Sequence, residues 1–148
     1  MVRVVAANED DIDRVLEIEL DSISPPWPHG ALLSEIYRED SFFAVARDAG
    51  ILGFVILRWA ADDGELLQIA VDKPVRHLGV GDLLMTAAIN YAYKQSLSSV
   101  HLEVRESNAN AIALYKKHGF KTVRLRRDYY TDPIEDAVVM VKGLLRQR

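Results

Sequence analysis

Cysteine is absent from this chain of 148 residues, which removes disulfide frameworks, thiolate nucleophiles and every zinc or iron–sulfur site that needs a thiolate ligand. The four histidines, His29, His77, His101 and His118, do not fall at metal-ligand spacing. Long apolar runs are missing too. Runs such as Ile51 to Leu57, which Arg58 ends, stop far short of the roughly 20 residues that span a bilayer, so no membrane partner is expected. Neither sign of charge dominates: 18 Lys and Arg stand against 22 Asp and Glu, a net charge of −4, which argues against direct nucleic-acid binding by the domain as a whole. Repeats, low-complexity tracts and Pro/Gly/Ser-rich linkers are also lacking, so a single domain over residues 1–148 is expected. The opening Met1 to Asp11 turns acidic at once and has no apolar stretch of signal-peptide length; a cytoplasmic location is expected.

What is present is 49% hydrophobic and 27% charged residues, a balance typical of a globular chain long enough to bury a core. Residues 2 to 6 read as a short strand. Asn8 followed by Asp11 makes an N-cap signal for a helix carrying Ile12, Val15, Leu16 and Glu19. Pro25, Pro26 and Pro28 interrupt the pattern, and Leu32, Leu33 and Ile36 mark a second short helix. Phe42 to Arg47, Ile51 to Ala61 and Glu65 to Val71 read as three antiparallel strands, joined by turns at Asp48-Ala49-Gly50 and Asp62-Asp63-Gly64. A helix is expected from about Asp82 to Gln95. A strand follows in which Val100, Leu102 and Val104 alternate with His101, Glu103 and Arg105. Asn108 is placed to cap a short helix that Gly119 closes, and Phe120 to Tyr130 and Ala137 to Val141 supply two final strands. The order is that of an α+β sheet of mixed direction.

The stretch from Ile69 to Leu84 carries a buried strand through a glycine-bearing loop into a helix, an arrangement suited to binding an anion. Gly79 and Gly81 permit close backbone approach, and the amides at the helix start can receive phosphate oxygens. The same spacing also suits a plain tight loop with a glycine bend. A Walker loop is excluded because Asp82-Leu83-Leu84 follows Gly81, and a dinucleotide fold lacks its third glycine.

Arg76-His77-Leu78-Gly79-Val80-Gly81 resembles the Arg/Gln-x-x-Gly-x-Gly/Ala motif of the GNAT family of N-acetyltransferases, with Arg76 in place of the commoner Gln. Leu102 to Phe120, with Asn108 and Ala111-Ile-Ala-Leu-Tyr115-Lys-Lys-His-Gly119-Phe120, is similar to the second half of that family's coenzyme A site. Arg126 to Tyr130, Glu135 to Met140 and Pro26-Trp27 resemble the RimI branch, the ribosomal-protein-alanine N-acetyltransferases. Pro28 departs from the pattern, standing where relatives tend to carry a helix-capping residue. The resemblance covers nearly the whole chain. It implies a mixed, mostly antiparallel sheet flanked by helices on both faces, with acetyl-CoA as co-substrate. It places the cofactor against the backbone of Ile69, Ala70, Val71, His77, Leu78, Gly79, Val80, Gly81 and Asp82, with Arg76 and Asn108 nearby.

Acyl transfer to an amine needs a neutral nucleophile, a route for its proton and a means of stabilising the departing thiolate. Glu103 projects from the polar face of its strand, where an ordinary solvated carboxylate would also sit; the resemblance gives it the role of base, acting through water. Tyr115 could be a packing aromatic; the resemblance makes it the acid that protonates the coenzyme A sulfur. Trp27, Tyr129 and Tyr130 are the candidate substrate-groove residues, although the two tyrosines could equally pair across strands. Arg124, Arg126 and Arg127 read as a solvated face, and His77 and His118 as loop and helix-end residues. The expected activity is acetylation of a protein or peptide N-terminal α-amine, with an alanine of a small-subunit ribosomal protein the acceptor that the branch implies. Two alternatives remain: a lysine or small-amine acetyltransferase of the same fold, and a coenzyme A-binding sensor or interaction module with little turnover.

Overall fold

The computed structural model describes residues 1–144, and its elements follow the order expected from the sequence. They are β1 (Arg3–Ala6), a 3₁₀ turn (Glu9–Asp11), α1 (Ile12–Ser22), α2 (His29–Ile36), β2 (Ser41–Arg47), β3 (Ile51–Ala60), β4 (Asp63–Val71), a second 3₁₀ turn (Lys73–Val75), α3 (Val80–Lys94), β5 (Ser99–Arg105), α4 (Ala109–Lys117), β6 (Lys121–Tyr130) and β7 (Glu135–Gly143). Asn8 forms a full capping box with Asp11 and starts the 3₁₀ turn that leads into α1. The strands make one seven-stranded sheet in the order β1-β2-β3-β4-β5-β7-β6. Every pairing is antiparallel except β4 with β5.

Strand periodicity divides the core in two. Phe43, Val45, Phe54 and Ile56 point to one face and pack with Ile12, Val15, Ile18 and Leu32 of α1 and α2. Their neighbours Ala44, Ala46, Val55 and Leu57 point to the other and pack with Leu84, Met85, Ala88 and Ala92 of α3, and with Tyr115 of α4. Because both faces are covered, β3 reads as a continuous apolar run rather than an alternation. The α+β fold, with a mostly antiparallel sheet between two helical layers, is the one expected. No helix among the described residues is long and apolar enough to cross a membrane.

Two irregularities shape the site. Ile56 pairs with Gln68 and Leu57 with Leu66, so Leu67 is an extra residue that reverses the facing of β4. Leu66 therefore packs with the α3 side and Ala70 with the α1 side, although both lie at even positions. The parallel pairing of β4 with β5 covers only Asp63, Gly64 and Glu65 against Ser99, Val100 and His101. Beyond Glu65 the two strands part.

Three elements have ends that differ from expectation by two residues. Helix α3 begins at Val80 rather than Asp82, because Gly79 takes a left-handed conformation (φ +91°) and its carbonyl accepts the Leu83 amide. The turn before β4 uses Ala61 and Asp62, so Asp63 and Gly64 already belong to the strand. Gly64 is there because a Cβ would come within 3.0 Å of Leu97 Cδ1. Strand β7 is longer than Ala137 to Val141 because it is paired on both sides, by β5 and β6.

Gly53 in β3 has the tightest surroundings in the sheet: a Cβ there would lie 2.7 Å from the Ala70 carbonyl oxygen and 3.1 Å from Leu84 Cδ1. Gly53→Ala is expected to destabilise the fold by about 1–3 kcal/mol in urea unfolding. Gly50→Ala, which enters open space, should stay within about 0.5 kcal/mol of the parent. An unchanged midpoint for Gly53→Ala would contradict this packing.

Candidate active site

Where β4 ends, the chain turns through the glycine loop into α3 and opens a cleft of about 460 Å³. Its lining includes Ile69, Ala70, Val71, Arg76, His77, Gly79, Gly81, Asp82 and Asn108, joined by Asp21 and Ser22 from the end of α1 and by Asn110, Ala111, Ala113, Leu114 and Lys117 of α4. His77 (φ +64°) and Gly79 (φ +91°) are both left-handed and turn the chain sharply ahead of the first helical amides. Those amides and the positive end of α3 favour an anion. At Gly81 a Cβ would make only ordinary contact with Leu114, at 3.4 Å, so protein packing does not demand glycine there. The bare backbone instead leaves room for a ligand at the cleft wall. A phosphate-bearing cofactor such as coenzyme A suits this combination.

A carboxylate at the start of α3 would repel phosphate, yet Asp82 stands there. Its Oδ1 lies 2.8 Å from His118 Nε2 and its Oδ2 accepts from Lys117 Nζ at 3.1 Å. These contacts hold its carboxyl below the usual aspartate range, with His118 the larger cause. They also join the end of α4 to the start of α3 across the cleft. Arg76 is engaged similarly: Nε donates to the Val71 carbonyl at 3.0 Å and Nη2 to Ser22 Oγ at 2.9 Å. Two members of the expected cofactor set do not line the cleft with their side chains. Leu78 is 74% exposed, and Val80 is buried in the core.

A second cleft, about 420 Å³, lies on the other side of the gap between β4 and β5. Ser22 to Trp27 form one wall; Glu65 to Ile69, Glu103 to Arg105, Asn108, Ala111, Tyr115, Tyr129 and Tyr130 form the rest. Ser22, Ile69, Asn108 and Ala111 line both clefts, which makes the two continuous. Asn108 caps α4 through Oδ1, which accepts the Ala111 amide at 3.1 Å, and so fixes the helix at this junction. Trp27 is held from beneath by Glu19, a fully buried carboxylate whose Oε1 accepts the Trp27 amide at 2.9 Å. Burial raises the Glu19 pKa.

Glu103 and Tyr115 both reach this second cleft. Arg126 Nη1 donates to Glu103 Oε1 at 2.8 Å and its guanidinium lies 4.6 Å from the Tyr129 ring centre. Contact with the Glu103 carboxylate raises the Tyr129 phenol. Tyr130 meets Tyr129 edge-on at 5.1 Å and is pushed up to about 12, mainly by burial and then by Glu103. Tyr115 is 8% exposed and packs against Phe120; burial lifts its phenol far above the usual tyrosine value. It therefore stays protonated through any neutral pH range.

Arg126 lies on an exposed strand face, as expected, and sequence reasoning missed that its guanidinium pairs with Glu103 across β7 and covers Tyr129. Sequence reasoning also missed the tie from His118 to Asp82 and the placement of Glu19 beneath Trp27. Partners 36 and 8 residues apart leave no local pattern for either contact.

Comparison with known proteins bears on the family and the fold. The model of the acetyltransferase (GNAT) family matches residues 12–120. The [ribosomal protein bS18]-alanine N-acetyltransferase of Escherichia coli is 33% identical over 132 residues, 88% of this chain and 89% of that one. The N-alpha-acetyltransferase of Sulfurisphaera tokodaii is 32% identical over 157 residues, covering 96% and 93%. The crystal structure of the ribosomal-protein-S18-alanine N-acetyltransferase from Escherichia coli superposes with a TM-score of 0.90 at 30% identity, covering 100% of this chain and 97% of that one.

Gly81→Val should weaken acetyl-CoA binding by roughly tenfold or more, since branched carbons would enter the space at the cleft wall. The melting temperature should stay within a few degrees, since Leu114 leaves room for the first carbon. Calorimetry showing parental affinity would remove the glycine loop from the cofactor site.

Proposed function

Because the chain belongs to the GNAT acetyltransferase family, whose co-substrate is acetyl-CoA, we propose that it acetylates the N-terminal α-amine of a protein, an alanine of a small-subunit ribosomal protein being the foremost acceptor. The observation that carries this reading is the continuity of the two clefts at Ile69, Asn108 and Ala111. One cleft suits a phosphate-bearing cofactor. The other is walled by Trp27, Tyr129 and Tyr130 and is open enough for an extended peptide. The relatives named for N-terminal acetylation, at about one-third identity over most of the chain, support the same acceptor.

In this reading the glycine loop and the start of α3 hold the pyrophosphate through backbone amides, with Leu78 and Val80 contributing main chain only. Arg76 steadies the loop from α1. Acetyl-CoA supplies the thioester carbonyl at the junction. Glu103, through an intervening water, takes a proton from the amine as its nitrogen forms the new C–N bond. Tyr115 gives its proton to the sulfur as the C–S bond breaks, so that the products are an amide and a free thiol. Burial keeps the Tyr115 phenol protonated at neutral pH, so the proton is in place when the step begins.

Acceptor chemistry favours the α-amine. A free α-amine has a pKa near 7.7 to 8.0 and a lysine near 10.4, so at pH 7.4 roughly a quarter of the former and about one in a thousand of the latter is neutral. A carboxylate acting through water has less to do in the first case.

An alanine-led peptide incubated with enzyme and acetyl-CoA should gain one acetyl group on its α-amine by mass spectrometry. The same peptide with that amine blocked should gain none, even if it contains lysine. Efficient labelling of the blocked peptide would favour the lysine reading. Glu103→Gln and Tyr115→Phe are each expected to lower kcat by roughly 10² to 10⁴ with little change in acetyl-CoA affinity. In the parent, the rate should climb as the α-amine deprotonates and show no fall from Tyr115 below pH 10. Full single-turnover activity of both variants from pH 6 to 9 would leave these residues as structural elements.

A further inference from the structure

Arg105, the last residue of β5, makes contacts that neither the cofactor cleft nor the proton transfers require. Its Nη2 donates to the Ser24 carbonyl at 3.3 Å, in the loop between α1 and α2. Its Nη1 donates to the Pro133 carbonyl at 3.1 Å and to Glu135 Oε1 at 3.3 Å, where β6 turns into β7. The guanidinium also lies 4.3 Å from the centre of the Tyr130 ring. Glu135 is fixed in turn, since its Oε2 accepts the Ser107 amide at 2.6 Å. One side chain, only 17% exposed, thus joins a loop 81 residues upstream to a turn 28 residues downstream.

Ser24 and Tyr130 belong to opposite walls of the second cleft, and Arg105 lies in its lining between them. We propose that Arg105 is a positioning residue that bridges these two walls and sets the width of the acceptor groove. It acts on peptide binding rather than on cofactor binding or proton transfer. A guanidinium suits the task because its planar fork offers donors in several directions while its face stacks on an aromatic ring. A lysine ammonium could keep the charge beside Glu135 but could not also reach the Ser24 carbonyl and cover Tyr130. The inference rests on the reading of this groove as the peptide site.

Arg105→Met, which keeps the aliphatic stem, is expected to raise the KM for an alanine-led peptide roughly 10- to 100-fold. The KM for acetyl-CoA should stay within about twofold and kcat within about fivefold. Arg105→Lys should give the same pattern at smaller size, and it carries the test if the methionine variant does not fold. Amide hydrogen exchange on the free enzyme provides a readout that needs no substrate: both variants should exchange faster at residues 23–28 and 131–134, with β2 and β3 unchanged. Parental exchange in those two segments would overturn the bridge whatever the acceptor proves to be. Faster exchange with an unchanged peptide KM would overturn its role in binding. Failure of the parent enzyme to acetylate any peptide N-terminus, with the exchange result as expected, would instead overturn the functional reading and leave the bridge standing.

Discussion

The constraint on which the rest of the molecule depends is the short pairing between β4 and β5. Elsewhere the sheet is antiparallel, and hairpins fix the register of β2 with β3, β3 with β4 and β6 with β7. Here two parallel strands share only three pairs before they separate. The separation leaves the β5-facing side of β4 from Leu66 to Val71 without a strand partner. Backbone donors and acceptors along that side are well placed to receive an extended ligand. The bulge at Leu67 belongs to the same device. By reversing the facing of β4 it turns Ile69 and Val71 towards the α3 side, where the glycine loop begins.

Charged groups around the gap are tied down rather than left free. Asp82 is held by His118 and Lys117, Glu103 by Arg126, and Glu135 by Arg105 and Ser107. On the far face Glu35 takes a bidentate pair from Arg58, and Asp11 takes one hydrogen bond from Arg47. Few of these pairs add much to stability, because surface ion pairs contribute little and partly buried ones lose hydration. Their value is geometric. They fix the end of α4 to the start of α3, and the loop after α1 to the end of β5, so that both clefts keep their shape.

Much of this was legible in the sequence, for identifiable reasons. Strand alternation in Val100 to Arg105, the Asn8 and Asn108 caps and the left-handed Gly79 and Gly119 are local signals, and local signals survive in one dimension. The glycine loop ahead of α3 was legible because glycine spacing and a helix start are neighbours in the chain. The insertion of β7 between β5 and β6 was not legible, since strand order depends on packing rather than on sequence proximity. Nor were the roles of Arg105 and Arg126 visible. A polar residue on a strand face reads as solvated until its distant partners are known, and those of Arg105 lie 28 and 81 residues away.

In the proposed reading the two clefts meet at a single reaction point beside β4. A crystal structure of the protein with coenzyme A covalently joined to the α-amine of an alanine-led peptide tests it most directly. The pyrophosphate should lie against the backbone of residues 77–82 and the joining atoms beside Ile69, Asn108 and Ala111. The peptide should lie between Trp27 and Tyr130, with Glu103 within one water of the amide nitrogen and the Tyr115 hydroxyl near the sulfur. A conjugate whose peptide leaves by any other route, or whose sulfur lies away from Tyr115, would contradict this reading.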